Sequence, residues 1–297
     1  MRILITGGSG FIGAAILRRL VARNWEPRIL DVKDDRRMVR AALGPAADGL
    51  DWRIGDVADG DALVAAAAGC DLIVHLAAVL TPACQADPVR GAQINLIGQL
   101  NAFLAAKRHG LKGVLYMSSA GVFGPDDGTT PFPLTHYGAF KLAGEGSARA
   151  FWEDDKLPSI GFRPLVVYGP GRELGLTAGP ALACKAAARG EPYVIPFTGS
   201  TDFLYVDDIA AAFEAAVQAP MTGARVFNVL GEVATVDGLI AEIRRHAPDA
   251  QLSAKGPVLP ITAHLARDDL ATALPGLPHT SLAAGVKATI DHYRKAL

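Results

Sequence analysis

Cysteine is scarce in this chain of 297 residues: Cys70, Cys84 and Cys184 lie far apart and form no CxxC pair. That excludes a disulfide framework and a cysteine zinc site, and it points to reduced thiols in a cytoplasmic protein. Net charge is nearly absent. With a formal balance of -1, there is no sign of the concentrated basic face that nucleic acid or an anionic membrane demands, and neither is expected as a partner. Long apolar runs are missing too, none approaching the ~18 uncharged residues that span a bilayer. Met1-Arg2-Ile3-Leu4-Ile5 opens like a secretion signal, but the run stops at Thr6-Gly7-Gly8 and Arg18 and Arg19 follow. The seven histidines show no ligand spacing with carboxylates or cysteines, so no metal is expected. Neither an internal repeat nor a low-complexity linker interrupts the chain.

What the chain does have is core-forming material. Half of the residues are hydrophobic and a fifth are charged, which suits one large domain or a main domain with an appendage. Arg2–Thr6, Arg28–Asp31, Asp71–Leu76, Val114–Ser118 and Ser159–Val167 read as strands. Phe11–Ala22, Ala62–Ala68, Gly91–Arg108 and Tyr137–Trp152 alternate with them as helices. Near-continuous apolar strands separated by helices describe a parallel sheet covered on both faces. From Tyr168 onward Gly and Pro become frequent and the alternation loosens. Helices are expected there over Pro180–Arg189, Asp207–Gln218, Asp237–His246 and Leu282–Ala296, with Arg225–Leu230 as a strand returning to the main sheet. The expected architecture is α/β: a doubly wound parallel sheet over 1–167, then a smaller, partly discontinuous C-terminal lobe over 168–297.

Gly7, Gly10 and Gly13 stand in TGGSGFIG, between the first strand and the helix that Phe11 and Ile12 open. Glycine is needed where φ is positive and where the backbone must approach a pyrophosphate without a Cβ in the way. The helix N-terminus then offers N–H groups and a partial positive charge to the phosphates. Asp31 lies 18 residues beyond Gly13, at the end of the next strand, placed to accept hydrogen bonds from adenosine ribose hydroxyls. Strand, glycine turn, helix and acid together make a Rossmann-type dinucleotide site. Asp31 would repel the extra phosphate of NADP, which favours NAD; Arg36 and Arg37 read as a solvated loop face, with a 2′-phosphate as their alternative partner.

Tyr137 and Lys141 are spaced i, i+4, so both project from one helix face. A free tyrosine is a poor base at neutral pH; a lysine ammonium beside it, with the positive nicotinamide ring, would favour the phenolate. Ser119 closes the fourth strand, where ligand-facing residues of a parallel sheet belong. Its hydroxyl can hold a substrate oxygen while Tyr137 takes or returns the proton.

In order and spacing, TGGSGFIG, GDVAD, HLAA, SSAGVFG, YGAFK, RPLVVYGPG and DFLYVDDIA resemble the extended short-chain dehydrogenase/reductases, the NAD-dependent epimerase/dehydratase family. The resemblance runs from Met1 to about Ala212, with an echo near Leu274 and Thr280-Ser281-Leu282. It implies an NAD-dependent enzyme of carbohydrate metabolism whose C-terminal lobe binds substrate. It further implies that Ser119, Tyr137 and Lys141 are catalytic, the last two also touching the cofactor. Asp56 and Val57 would flank the adenine, Leu76, Ala77 and Ala78 would line the cofactor's path, and Asn95 would sit behind the active site. Pro164 and Val166 would border the nicotinamide. A homodimer is common in the family, and Gly91–Arg108 and Tyr137–Trp152 could pair.

Departures from the family pattern bear on the substrate. Members acting on nucleotide sugars carry two arginines that hold the diphosphate; this chain has Thr201 and Thr272 there, with Arg267 nearby. Thr81 and Gln85 in the loop after Ala78, and Arg172 and Thr177 in the loop 169–179, are expected to close over the substrate. Arg172 is the best available cation for a carboxylate. The run Arg189–Gly199 also resembles relatives that oxidise small sugar acids such as erythronate. The preferred expectation is a dehydrogenase for a small sugar, sugar acid or polyol; a nucleotide-sugar 4-epimerase or dehydratase is the alternative.

Overall fold

The computed structural model describes residues 1–295. In chain order the first half runs β1 (Arg2–Thr6), α1 (Phe11–Ala22), β2 (Glu26–Asp31), α2 (Arg37–Leu43), β3 (Asp51–Ile54), α3 (Gly60–Ala67) and β4 (Leu72–His75). It continues through α4 (Thr81–Ala86), α5 (Pro88–Ala92), α6 (Gly98–His109), β5 (Val114–Met117), α7 (His136–Asp155), β6 (Ser159–Arg163) and β7 (Val166–Tyr168). The second half adds α8 (Gly179–Arg189), β8 (Tyr193–Ile195), β9 (Ser200–Tyr205), α9 (Val206–Gln218) and β10 (Ala224–Asn228). Last come β11 (Glu232–Thr235), α10 (Val236–His246), β12 (Leu252–Ala254), α11 (Leu270–Ala273) and α12 (Leu282–Lys295). The expected helix end at Ala296 lies outside the described residues.

Seven strands form one parallel sheet in the order β10-β6-β5-β4-β1-β2-β3. Both faces are buried because alternate residues of β1 feed different cores. Ile3 and Ile5 pack with Leu17 of α1 and Phe213 of α9; Leu4 packs with Leu63 of α3 and Phe103 of α6. A sheet covered twice needs apolar residues at every position, which is why these strands read as unbroken runs. The strand order reverses between β1 and β4, and ligands of open α/β sheets bind at the carboxyl ends there. A second core under the smaller sheets joins Tyr168, Ile195, Phe203, Leu239 and Val286. No helix of the described residues is long and apolar enough to cross a membrane.

Two sequence expectations are corrected, and one strand is added. Ser159–Val167 is not one strand: β6 belongs to the main sheet and β7 pairs with β9 in a three-stranded sheet. The switch falls at Pro164, which has no N–H to continue the ladder. Gly91–Arg108 is not one regular helix, because Gln93–Ile97 forms a π turn between α5 and α6. The sheet also gains the edge strand β3, whose polar DWRI sequence hid it.

Candidate active site

The glycine loop is shaped for close backbone approach. Gly7 has φ +69, and a Cβ there would lie 2.8 Å from the Ala77 backbone. At Gly13 an added Cβ would meet the Gly8 carbonyl oxygen at 2.6 Å. Gly10 precedes α1 and offers no side-chain cap, so the first-turn N–H groups of the helix stay available for phosphate oxygens. The residues present therefore fit a dinucleotide. Phe11 and Ile12 lie at the start of the helix, with their side chains packed on the first core.

Asp31 stands at the C-terminal end of β2, where its carboxylate accepts from Ser9 N (3.2 Å), Ser9 Oγ (2.6 Å) and Val32 N (2.8 Å). It thereby ties the glycine loop to the end of β2. Arg36 is held by Asp34 at 2.6 Å and stacks over Trp52, while Arg37 is held by Asp35 at 2.6 Å. Asp56 accepts from Ala58 N at 2.9 Å and pairs with Arg90. Leu76, Ala77 and Ala78 follow β4 in a half-exposed line, and Ala77 N donates to Thr6 Oγ1 at 3.3 Å.

Three of the residues expected at the cofactor are buried. Val57 is 4% exposed and built into the core of α3 and α6. Val166 has no exposed surface and faces the second core. Asn95 is wholly enclosed too. Its amide sits on the π turn, accepts from Val79 N (2.8 Å) and donates to Val79 O (2.8 Å) and Cys84 Sγ (3.1 Å). It fixes the loop after β4. Pro164 is buried, and its carbonyl accepts from Ala120 N at 2.9 Å, next to Ser119.

Ser119, Tyr137 and Lys141 come together at the carboxyl end of β5. The Ser119 hydroxyl accepts from Gly121 N at 3.0 Å. α7 is started by Thr135, whose hydroxyl accepts from Gly138 N at 3.0 Å, so Tyr137 occupies the first turn and Lys141 the next. Gly138 lets that turn press on the Ser119 loop: an added Cβ would lie 2.0 Å from the Gly121 carbonyl oxygen. Lys141 is buried, its Nζ donating to Met117 O at 2.7 Å and lying 5.6 Å from the Tyr137 ring centroid. Burial pushes its ammonium down to about 8, against the raising influence of Cys84 and Glu145.

Burial raises the Tyr137 phenol, while hydrogen bonding from Ser119 and then the charge of Arg172 pull it down. Arg172 is half-buried, and among the described residues its guanidinium donates only to Thr177 Oγ1, at 3.4 Å. Thr81 opens α4, half-buried; Gln85 on the same helix is exposed. Thr201 is 2% exposed, and Thr272 and Arg267 are exposed.

Sequence reading missed the support beneath this set. Glu145, one turn below Lys141, is fully buried and grips Arg163 of β6 with both oxygens (2.7 and 2.5 Å), while Ser118 Oγ donates to it at 2.5 Å. The i, i+4 series Tyr137, Lys141, Glu145 was the available signal. His75 at the end of β4 is also buried, its Nδ1 2.9 Å from Thr6 Oγ1, and burial followed by the Lys141 charge pushes it down to about 3.

A helix-borne tyrosine and lysine thus face a strand-end serine, beside a glycine loop cut for a dinucleotide. The model of the NAD dependent epimerase/dehydratase family matches residues 3–250. The chain belongs to that family. It is 31% identical to the UDP-glucose 4-epimerase of Mycolicibacterium smegmatis over 77% of each chain. It is 28% identical to the 2-alkyl-3-oxoalkanoate reductase of Stenotrophomonas maltophilia, over 75% of this chain and 67% of the relative. The NAD complex of the Thermus thermophilus UDP-glucose 4-epimerase superposes with TM-score 0.85 and 25% identity, over 100% of both chains. The chain is an NAD-dependent enzyme of this family.

Proposed function

We propose that the chain oxidises a secondary alcohol of a small sugar, sugar acid or polyol with NAD. The observation that carries the reading is the convergence of Ser119, Tyr137 and Lys141 at the end of β5, beside the glycine loop. Ser119 holds the substrate oxygen and Tyr137 takes its proton. Lys141, anchored on Met117, would hold ribose hydroxyls, and Asp31 with the first turn of α1 would hold the adenosine and phosphates. Bound NAD supplies the two-electron acceptor.

A small substrate follows from where charge is absent. Thr201 is enclosed on β9 with a hydroxyl that has no partner, and Thr272 is exposed on α11, so neither supplies a cation to a diphosphate. A nucleotide-sugar 4-epimerase is the second reading, favoured by the likeness to the M. smegmatis and T. thermophilus epimerases. Purified protein with NAD and a panel of sugar acids, polyols and nucleotide sugars separates the two. Net NADH from a small substrate supports the first reading. Interconversion of a nucleotide sugar without net NADH overturns it in favour of the second. The three thiols are buried and free, and we place the reaction in the cytoplasm.

A further inference from the structure

Where this chain encloses a guanidinium it supplies an acid. Arg28 donates to Asp51 at 2.7 Å and to the carbonyls of Ala66 and Ala68. Arg163 grips Glu145, and Arg19 meets Glu214 at 2.7 Å. Arg172 is the exception. Among the described residues it makes no ion pair, and its Nε is enclosed without a hydrogen-bond partner. The neighbouring acid, Glu173, is turned away to Lys185 at 2.5 Å.

The loop holds this cation in a set place. Gly169 and Gly171, at φ +144 and +89, turn the chain out of β7. Gly171 N donates to Tyr293 Oη at 2.9 Å, and Arg172 N to Gly169 O at 3.3 Å. The guanidinium carbon lies 5.7 Å from the Phe11 ring centroid, and its charge is felt at the Tyr137 phenol. A desolvated charge without a counter-charge is costly, and the forked guanidinium matches a carboxylate through two parallel hydrogen bonds.

We propose that Arg172 is a carboxylate-recognition residue, and that the substrate is a hydroxy acid whose carboxylate sits on Arg172 while its carbinol lies at Tyr137. This rests on the oxidoreductase reading above and narrows its substrate class. Thr177 steadies one arm of the guanidinium. A neutral polyol of the same size leaves the half-buried cation, with its enclosed Nε, unpaired and is rejected on that account.

The test titrates the protein–NADH complex with gluconate, threonate and glycerate, each beside its neutral alditol, in the wild type, R172Q and R172K. At least one acid binds the wild type roughly a hundredfold more tightly than its alditol, the effect of two charge-assisted hydrogen bonds. R172Q loses that preference, R172K keeps part of it, and NADH affinity stays within about threefold, which also shows that the variants fold. Equal binding of every acid and its alditol overturns the proposal; net NADH from a neutral alditol would then leave the oxidoreductase reading standing. A tenfold loss of NADH affinity in R172Q with acid preference intact assigns the guanidinium to the cofactor's phosphates and overturns it as well. Nucleotide-sugar interconversion without net NADH undoes the underlying reading instead.

Discussion

Removing the Glu145 carboxylate tests how the catalytic elements are held together. Glu145 has no exposed surface, Arg163 is only 16% exposed along its side chain, and two short hydrogen bonds join them. Ser118, beside Ser119, is the third member. Glu145→Ala leaves an uncompensated buried guanidinium, which costs about 3–5 kcal/mol. For a chain of this size each kcal/mol lowers Tm by about 2 °C, so the expected fall is about 6–10 °C. Circular dichroism melts and urea titrations measure it. Glu145→Met with Arg163→Met together should recover at least half of the loss, since an apolar pair of similar volume carries no desolvation penalty. A single variant that loses less than about 1 kcal/mol, or a double variant no better than the single one, refutes the reasoning.

Two other perturbations follow from the same geometry. Gly13→Ala places a Cβ against the Gly8 carbonyl and should weaken NAD binding at least about tenfold by calorimetry. Gly49→Ala, with open space around it, should leave binding unchanged, and equal effects of the two would remove the cradle argument. His75 is held neutral at about 3 in the fold, so its contribution to stability is present above the ordinary histidine value near 6.5. It is lost as pH falls from there towards 3, at up to about 1.4 kcal/mol per pH unit. His75→Gln should flatten the urea-measured slope between pH 6 and 4, and an unchanged slope contradicts the assignment.

Elements whose chemistry repeats locally were legible before the structure. The glycine loop, the i, i+4 pair on α7 and the doubly buried strands all announce themselves through spacing within one segment. What was not legible depends on partners far along the chain. Ser159–Val167 is one apolar run, and nothing in its periodicity says that the residues before and after Pro164 pair with different sheets. Asn95 was expected behind the active site, but its partners come from a π turn that aims it at Val79 and Cys84. Glu145 and Arg163 are 18 residues apart and meet only because α7 packs across β6. The placement of Lys141 beside Tyr137 followed from spacing alone; its anchor on Met117 and the charge of Arg172 felt at the same phenol come from the fold.

Comparison of Tyr137→Phe with the wild type bears most directly on the central claim. NAD affinity is measured by titration and turnover by net NADH with the best substrate of the panel. Loss of the phenolic hydroxyl should lower kcat by about 10² to 10⁴, the range for a positioned acid–base group, with NAD affinity within about twofold. A variant that binds NAD normally and keeps more than about a tenth of the wild-type turnover would contradict the account.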